Sequence, residues 1–415
     1  MKKTVIGSGI YMLDSIVVRD YPAWPSLRPF TERAVIEEVG GTCGNVMCIL
    51  AWLGWKAMPE VSLDDSPVGR KIASDLARYG CDLRHVTNTP GGGATILRCT
   101  HKRDAEGNHT IAFRATGSGG SRFPKRHFLR ARDEAPAFLE SLNQAPGVYF
   151  FDDPAAGHRL IARTLRERGT LVCFEPSAIE SKADLDAVAA SDIVKFSGDN
   201  VPDISFTDRF PDKLFIQTLG ADGLQFRLRG GPWIHLDQVP VRDVVDWEGA
   251  GDWTSASFLT QLAAADVPFE ELTELTVHEC LTAAQTIAAQ SVCFLSSKGL
   301  IHDADKASPG EALGMLGTKD IRSNFSGETV SFVSPLPEDA KTGVYSDGVN
   351  LLDLVAGFED DISQMHGILR SGEPVNMQDF YSWFGAWEEG NRFEKMLSVL
   401  LKNRDTAERN FINCY

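Results

Sequence analysis

The stretch VVDWEGAGDWTSASFL, residues 244–259, places small residues and an acid where an apolar strand meets a helix. Glycine is costly in regular structure, so Gly249, Ala250 and Gly251 indicate that another molecule comes close to the backbone. A helix N-terminus presents unpaired N–H groups and partial positive charge, which together bind phosphate. Asp252 is electrostatically unfavourable in such a pocket unless it accepts a proton. We therefore predict an anion-binding loop, defined here as residues 246–252, with Asp252 as a base.

Short apolar strands that alternate with amphipathic helices have to position this loop. TVIGSG, GVYFFDD and TLVCFEPS have the pattern of strands, and HRLIARTLRERG has the pattern of a helix. The alternation predicts an α/β fold with a mainly parallel sheet covered by helices on both faces. Ligands of such sheets bind beyond the carboxyl ends of the strands. Polar residues that follow apolar strands are expected to converge on that edge: Asp14, Asp153, Glu175, Ser197, Gly220 and Asp252.

Two parts of the chain depart from the alternation. Segments 24–39 and 95–116 are strand-like and predict a small β-sheet that covers the site. The main domain is predicted to span residues 1–317, and residues 318–415 to form a mainly helical C-terminal extension with two amphipathic segments. An aromatic cluster in this extension favours either packing on the main domain or a homodimer contact: Tyr381, Trp383, Phe384 and Trp387.

The composition excludes several classes of protein. The net charge of −16 argues against nonspecific nucleic-acid binding. No apolar run approaches the length of a membrane span, and Asp14 interrupts the one N-terminal stretch that resembles a signal peptide. The eight cysteines contain no Cys-x-x-Cys pair, which gives a zinc or iron–sulfur site little support. Dispersed thiols with apolar neighbours are typical of a reducing, cytoplasmic compartment.

Further motifs occur in a fixed order around the anion-binding loop. The pattern Gly40-Gly41-x-x-x-Asn45 opens a predicted helix, and Thr218-Leu219-Gly220-Ala221-Asp222-Gly223 forms a glycine-rich turn after a strand. Taken singly, Asn45 would more often be a helix cap, Asp14 a solvated acid, and the turn at 218–223 a plain connection. In this order, with Asp246-x-x-Gly249-Ala250-Gly251-Asp252, the chain resembles the PfkB family of carbohydrate kinases, the ribokinase-like sugar and nucleoside kinases.

The resemblance covers about residues 3–317 and implies a ribokinase-like three-layer α/β/α sandwich with a β-sheet lid. It implies that Asp252 is the catalytic base and that the N–H groups of the 249–251 segment stabilise the transferred phosphoryl group. The implied substrate-binding residues are Asp14, Gly40, Gly41 and Asn45, and the implied nucleotide-binding residues are Thr218, Gly220 and Gly223. ATP and Mg²⁺ are the implied cofactors, with no metal ligand assigned.

Several positions depart from the family's pattern. Ser197 and Asn200 stand where the family often has an Asn-x-x-Glu motif, so a carboxylate associated with metal handling is missing. Glu175-Pro176-Ser177 replaces an Asp-Pro-Asn turn, and Trp247 replaces a small residue beside the anion-binding loop. Trp247 is interpreted as core packing rather than as a stacking surface for substrate. Cys43, Met47, Asp64 and Ser257 are further departures.

We expect ATP-dependent phosphoryl transfer to a hydroxyl of a sugar, with a nucleoside as the second acceptor class. A different class of function is also compatible with the sequence, namely a catalytically weak sugar- or nucleotide-binding regulator. The substituted Ser197 and Asn200 positions favour the regulator, whereas the retained Asp252 favours the kinase.

Overall fold

The computed structural model describes residues 1–20, 31–88, 95–103, 109–117, 132–241 and 244–304, with two short pieces at 344–345 and 349–350. Its strands are, in chain order, β1 Thr4–Ser8, β2 Met12–Asp20, β3 Thr31–Gly40, β4 Lys56–Leu63, β5 Val86–Asn88, β6 Thr95–Arg103, β7 His109–Gly117, β8 Val148–Phe151, β9 Leu171–Phe174, β10 Ile193–Ser197, β11 Leu214–Thr218, β12 Leu224–Leu228, β13 Trp233–Leu236, β14 Val344–Tyr345 and β15 Val349–Asn350.

The helices among the described residues are α1 Thr42–Trp52, α2 Pro67–Arg78, α3 Ala135–Ser141, α4 Ala156–Glu167, α5 Lys182–Ala189, α6 Ala250–Ala265, α7 Glu274–Ser291 and α8 Gly299–Ala304. Short 3₁₀ turns lie at Leu83–His85, Ser205–Arg209, Gly220–Asp222 and Phe269–Glu271. Every helix in the described part of the chain is too short or too polar to cross a bilayer.

A nine-stranded sheet carries the site, in the order β13-β12-β11-β10-β9-β8-β1-β4-β5. The pairs from β11 through to β5 are parallel, and β12 and β13 extend the sheet with antiparallel pairs. The carboxyl ends of the parallel strands lie at the same edge of the sheet, because parallel neighbours run in the same direction. The prediction of a mainly parallel sheet is therefore confirmed, and the chain segments that follow these strands lie along one edge.

Helices cover both faces of this sheet. Ile6, Phe151 and Val172 belong to one apolar cluster that also contains residues of α3, α4 and α5. Gly7, the neighbour of Ile6 in β1, points the other way, since a Cβ there would lie 2.5 Å from Sδ of Met47 in α1. α1 packs against α6, and α6 packs against α7. The predicted α/β/α sandwich is confirmed.

A second, four-stranded sheet has the order β3-β2-β6-β7. The predicted segments 24–39 and 95–116 account for β3, β6 and β7, but the prediction omits β2. β2 begins only four residues after β1 ends, so its apolar residues continue the pattern of the first strand. Asp14 consequently lies inside a strand of the small sheet and not in a turn after β1.

The chain divides into two compact units by its internal contacts. The first consists of Met1–Val17, Arg33–Cys99 and Phe113–Leu336, and the second of Val18–Glu32, Thr100–Ala112 and Pro337–Tyr415. Every site residue discussed below belongs to the first unit. The boundary at residue 317 and the aromatic cluster at 381–387 lie outside the described residues and stay predictions. β14 and β15 pair antiparallel within the predicted extension.

Candidate functional site

The anion-binding loop leaves the N-terminus of α6 open. Gly249 precedes the helix in a left-handed conformation with φ 81°, and no side chain caps the helix. A Cβ on Gly249 would lie 2.3 Å from the Cβ of Ser297, so both the conformation and the packing require glycine. The N–H of Ala250 reaches the carbonyl of Trp247 at 3.3 Å. Within the described residues, the N–H groups of Gly251 and Asp252 donate to no acceptor.

Asp252 lies buried in the first turn of α6, facing α1. Asn45 Nδ2 donates to Asp252 Oδ2 at 2.7 Å. Burial raises the pKa of Asp252 well above the ordinary value, and the charge of Glu175 raises it further. The Asn45 hydrogen bond and the ammonium groups of Lys195 and Lys298 act in the opposite direction. The first turns of two helices therefore join at this carboxylate.

Lys195 in β10 and Glu175 after β9 lie close to the N-terminus of α6. Lys195 of β10 forms an ion pair with Oε1 of Glu175, and Ser255 of α6 donates to Oε2 of Glu175. The Cβ position of Gly251 lies 3.4 Å from Lys195 Nζ, so the absence of a side chain at 251 brings this ammonium close to the loop. The long Glu175 side chain, a departure from the family's pattern, spans the distance to both partners.

The N-terminus of α1, in contrast, is closed by the protein itself. Gly41 precedes it with φ 79° and likewise provides no side-chain cap. Asp152, which follows β8, accepts from the N–H of Cys43 and from the N–H of Ile10, each at 2.9 Å. Burial raises the pKa of Asp152 to about 7, although these two hydrogen bonds lower it. Asp152 is a structural acid that the motif pattern did not single out.

Asp14 carries a buried oxygen that is available for a ligand. Its Oδ1 has no hydrogen-bond partner among the described residues. A Cβ on Gly40 would lie 1.8 Å from Asp14 Oδ2, so glycine at 40 is what allows the carboxylate to lie against β3. Burial raises the pKa of Asp14 to about 7; Glu38 and Asp246 raise it further, while an ammonium group lowers it. That ammonium belongs to Lys298, which the motif analysis did not identify as a site residue.

Lys298 is completely buried and donates to Asn45 Oδ1. The signal for it in the sequence is weak: one lysine before a glycine in the segment SVCFLSSKGL. In the structure, the end of this segment lies beneath the anion-binding loop, because Asp246 Oδ2 accepts from the N–H of Ser296 at 2.9 Å.

The predicted nucleotide turn forms a separate group at the end of β11. Leu219 N–H donates to the carbonyl of Gly223 at 2.8 Å, and Gly220 and Gly223 both have positive φ. A Cβ on Gly223 would lie 2.2 Å from the carbonyl of Leu236, whereas Gly220 is open on its Cβ side. Thr218 links to β10 through its carbonyl, which accepts from Gly198 N–H at 2.8 Å. Within the described residues, none of these groups is hydrogen-bonded to the Asp252 cluster.

The structure therefore brings Asp14, Gly40, Asn45 and Asp252 into one buried cluster, places Gly41 at its edge as the start of α1, and keeps the 218–223 turn apart. Trp247 is 45% exposed, so its interpretation as core packing is wrong. Its backbone carbonyl accepts from the N–H of Ala250 in the turn that starts α6. Seven of the eight cysteines are buried free thiols, and Cys414 lies outside the described residues.

Comparisons with known proteins identify relatives by sequence and by fold. Residues 205–303 match the family model described as pfkB family carbohydrate kinase. The ATP-dependent ribose-1-phosphate kinase of Halopiger xanaduensis is 29% identical over 250 residues, which cover 57% of this chain and 77% of that protein.

Two solved structures have the same fold at low sequence identity. The ribokinase of Arabidopsis thaliana, complexed with ribose and ATP, superposes with a TM-score of 0.54 at 16% identity, covering 77% of this chain and 100% of that one. The ribokinase of Giardia lamblia gives 0.53 at 16% identity, covering 72% and 96%. At these identities the similarity establishes the fold, and the chemistry has to be argued from the site.

Proposed function

We propose that the chain is a carbohydrate kinase of the PfkB type, which transfers the terminal phosphoryl group of ATP to a hydroxyl of a sugar through the cluster around Asp252. One observation carries the assignment of the site. A buried carboxylate lies in the first turn of a helix in which the N–H groups of Gly251 and Asp252 have no acceptor among the described residues, so a proton acceptor and an anion cradle occupy the same turn. Phosphoryl transfer needs this pairing of placement and charge stabilisation.

Asp252 is the general base in this proposal. It removes the proton from the acceptor hydroxyl as the oxygen attacks the phosphorus, and the bond from phosphorus to the ADP oxygen breaks. The N–H groups of Gly251 and Asp252 stabilise the charge on the moving phosphoryl group, because they point out of the helix without acceptors. Gly249 holds the turn in the conformation that directs these groups outward. Ala250 contributes less than the sequence predicts, since its N–H already reaches Trp247.

Asp14 and Asn45 bind the acceptor sugar. The free Oδ1 of Asp14 accepts a hydrogen bond from a sugar hydroxyl, which removes the cost of leaving that buried oxygen without a partner. Gly40 leaves room for the Asp14 carboxylate, since a Cβ there would lie 1.8 Å from Asp14 Oδ2, and Gly41 leaves room for the carbonyl of Ile10. Asn45, already bonded to Asp252, aligns the reacting hydroxyl with the base.

ATP and Mg²⁺ are the proposed cofactors. The uncapped amides of α6 and the nearby Lys195 ammonium fit the terminal phosphate of a nucleotide. No cluster of three metal-ligating side chains occurs among the described residues. In this proposal the magnesium ion is held mainly by nucleotide phosphates and water, as is usual for Mg²⁺. Thr218, Gly220 and Gly223 contact the nucleotide in this proposal, from the adjoining strand end.

The first acceptors to assay are ribose and ribose 1-phosphate, because relatives with these substrates in their names share the chain's fold or sequence. Around Asp14, the charges of Glu38 and Asp246 oppose the single ammonium of Lys298, so a neutral sugar fits this half of the cluster better than a phosphorylated one. Turnover with ribose 1-phosphate would show that cations outside this cluster contact the phosphate.

The test is a screen of sugars and nucleosides with ATP and Mg²⁺, in the wild type and in Asp252→Asn. We expect wild-type turnover on at least one sugar and loss of that turnover in the variant, with nucleotide binding retained and a melting temperature that stays nearly the same or rises. Asp266→Asn, at the exposed C-terminal end of the same helix, is the matched control and should retain activity. Tight sugar binding without turnover across the whole panel would overturn the proposal in favour of a regulator.

A further inference from the structure

Lys298 is a buried residue beside the Asp252 cluster, and the proposed reaction assigns it no role. The residue is 0% exposed, and its ammonium donates to three oxygens: the carbonyl of Val39, Oδ1 of Asn45 and Oγ of Ser297, the last at 3.0 Å. An ammonium group has three N–H donors. All three are therefore taken by the protein, and none is left to bind a substrate directly.

The contact with Asn45 fixes which way the amide of that residue points. An amide presents an acceptor on one side and two donors on the other, and Asn45 Oδ1 accepts from both Lys298 and Ser297. With its oxygen held there, the Asn45 Nδ2 donors must face away, and one of them reaches Asp252 Oδ2 at 2.7 Å. Reversing the amide would place a donor against an ammonium and an acceptor against a carboxylate.

The charge of Lys298 also acts on the acids around it. It favours ionisation of Asp252 and of Asp14, against the effect of burial on both. Burial pushes the pKa of Glu38 upward, but Lys298 and His302 together bring it down to about 2. Glu38 therefore remains ionised as a counter-charge to the buried ammonium.

The anion-binding loop itself holds Lys298 in place. The carbonyl of Val292 accepts from the backbone N–H groups of Val245 and Asp246, at 2.8 and 3.1 Å. Trp253 Nε1 donates to the carbonyl of Ser297 at 2.7 Å. These contacts connect Val245 and Asp246, and α6 itself, to the segment 292–297 that precedes Lys298, so the region of the anion-binding loop also positions the ammonium.

We propose that Lys298 is a positioning residue of this kinase, which locks the Asn45 amide towards Asp252 and supplies a positive charge beside this base. The inference rests on the proposed function, because it assigns Lys298 a role in the same phosphoryl transfer. It differs from a contact with substrate in that Lys298 acts through Asn45 and through its charge.

The test compares the pH profile of kcat/KM in the wild type, Lys298→Met and Lys298→Arg. Removing a nearby positive charge makes the base harder to ionise, so in Lys298→Met we expect the acid limb to move up by about one pH unit, with about tenfold lower kcat/KM on that limb. Lys298→Arg retains the charge and should leave the limb within a few tenths of a unit. Lys213→Met is the matched control: Lys213 is equally buried but lies at the opposite edge of the sheet and should leave the profile in place.

A double-variant measurement tests the route through Asn45. If Lys298 acts through the amide, Lys298→Met combined with Asn45→Ala should cost little more in kcat than the more damaging single variant. An unshifted acid limb in Lys298→Met, or independent losses that simply multiply, would overturn the inference while leaving Asp252 as the base.

The inference remains testable without turnover. The carboxyl carbon of Asp252, identified by its loss from the NMR spectrum of Asp252→Asn, can be titrated directly in the wild type and in Lys298→Met. A higher midpoint in Lys298→Met supports the inference, and equal midpoints overturn it. A wild type that phosphorylates nothing but shows this shift would refute the proposed function alone.

Discussion

Helices α1 and α6 begin in the same way, but the backbone N–H groups of their first turns differ in their hydrogen-bond partners. The N-cap residue of each helix is a glycine with φ near 80°, which has no side chain to cap the helix. In α1 the freed amides are used by the protein, through Asp152 and the carbonyl of Ile10. In α6 the amides of Gly251 and Asp252 have no acceptor in the described structure. A glycine-led helix start is therefore an anion site only where no protein carboxylate reaches it.

The comparison assigns different roles to the two acids that face these helices. Asp152 accepts two backbone N–H groups and completes α1. Asp252 is bonded to one amide and keeps capacity to accept a proton. Exchanging or removing the acids should therefore separate catalysis from folding.

The largest effect is expected for Asp252→Asn. The substitution retains the shape of the side chain but removes the base, so we expect kcat to fall by about 10²- to 10⁴-fold. The melting temperature should change little or rise, because a buried carboxylate is replaced by a neutral group. Steady-state kinetics and thermal denaturation measure the two quantities. Retained kcat would remove Asp252 from the chemistry and leave α6 as an anion site only.

Asp152→Asn should produce the opposite pattern. The asparagine oxygen replaces only part of the capacity to accept from Ile10 and Cys43, so we expect a loss of about 1–3 kcal/mol in unfolding free energy, with the KM for ATP unchanged. Ser181→Ala, which removes the side-chain cap of α5 far from the site, is the matched control, with a loss of about 1 kcal/mol. A rise in the KM for ATP in Asp152→Asn would contradict the separation of the two helix starts.

The raised pKa of Asp152 predicts how the stability of the protein depends on pH. Its pKa is about 7 in the folded protein against an ordinary value of 3.8, so the folded state holds the proton more tightly. Its contribution to stability is then largest at low pH and declines as the pH rises from about 4 to about 7. Denaturant unfolding across this range should show a smaller decline in Asp152→Asn than in the wild type.

A smaller effect on activity is expected when Asn45, the partner of Asp252 across the two helices, is replaced by a charged residue. Asn45→Asp places a carboxylate beside Asp252, and like charges disfavour ionisation. We expect the acid limb of kcat/KM to move up by about one pH unit, in the same direction as in Lys298→Met. Asn45→Ala removes the hydrogen bond without adding charge and should move the limb less. A downward movement in Asn45→Asp would mean that Asp252 is not the titrating base.

The smallest effect is expected for Trp247→Ala. Trp247 is 45% exposed, so removal of its ring should change the unfolding free energy by no more than about 0.5 kcal/mol. If the ring contacts substrate beside the open start of α6, KM should rise by a factor of a few while the melting temperature stays constant. Leu275→Ala, another exposed apolar residue, is a control away from the loop.

Much of the fold follows from local pattern, and the exceptions have identifiable causes. The strand and helix periods of β8, α4 and β9 predict those elements directly. β2 was missed because it follows β1 so closely that the two apolar runs merge. Trp247 was misplaced because a large hydrophobic residue is more often buried, whereas the turn into α6 exposes it.

The sequence by itself determined the α/β alternation, the anion-binding loop and the acid that follows it, because helix and strand periods and glycine spacing are local properties. Only the tertiary structure decided which glycine-led helix is open and which residue orients Asn45. Asp152 reaches Cys43 across 109 residues, and Lys298 reaches Asn45 across 253. Such contacts depend on the order of strands in the sheet and on the packing of helices over it, which bring together side chains that no local spacing relates.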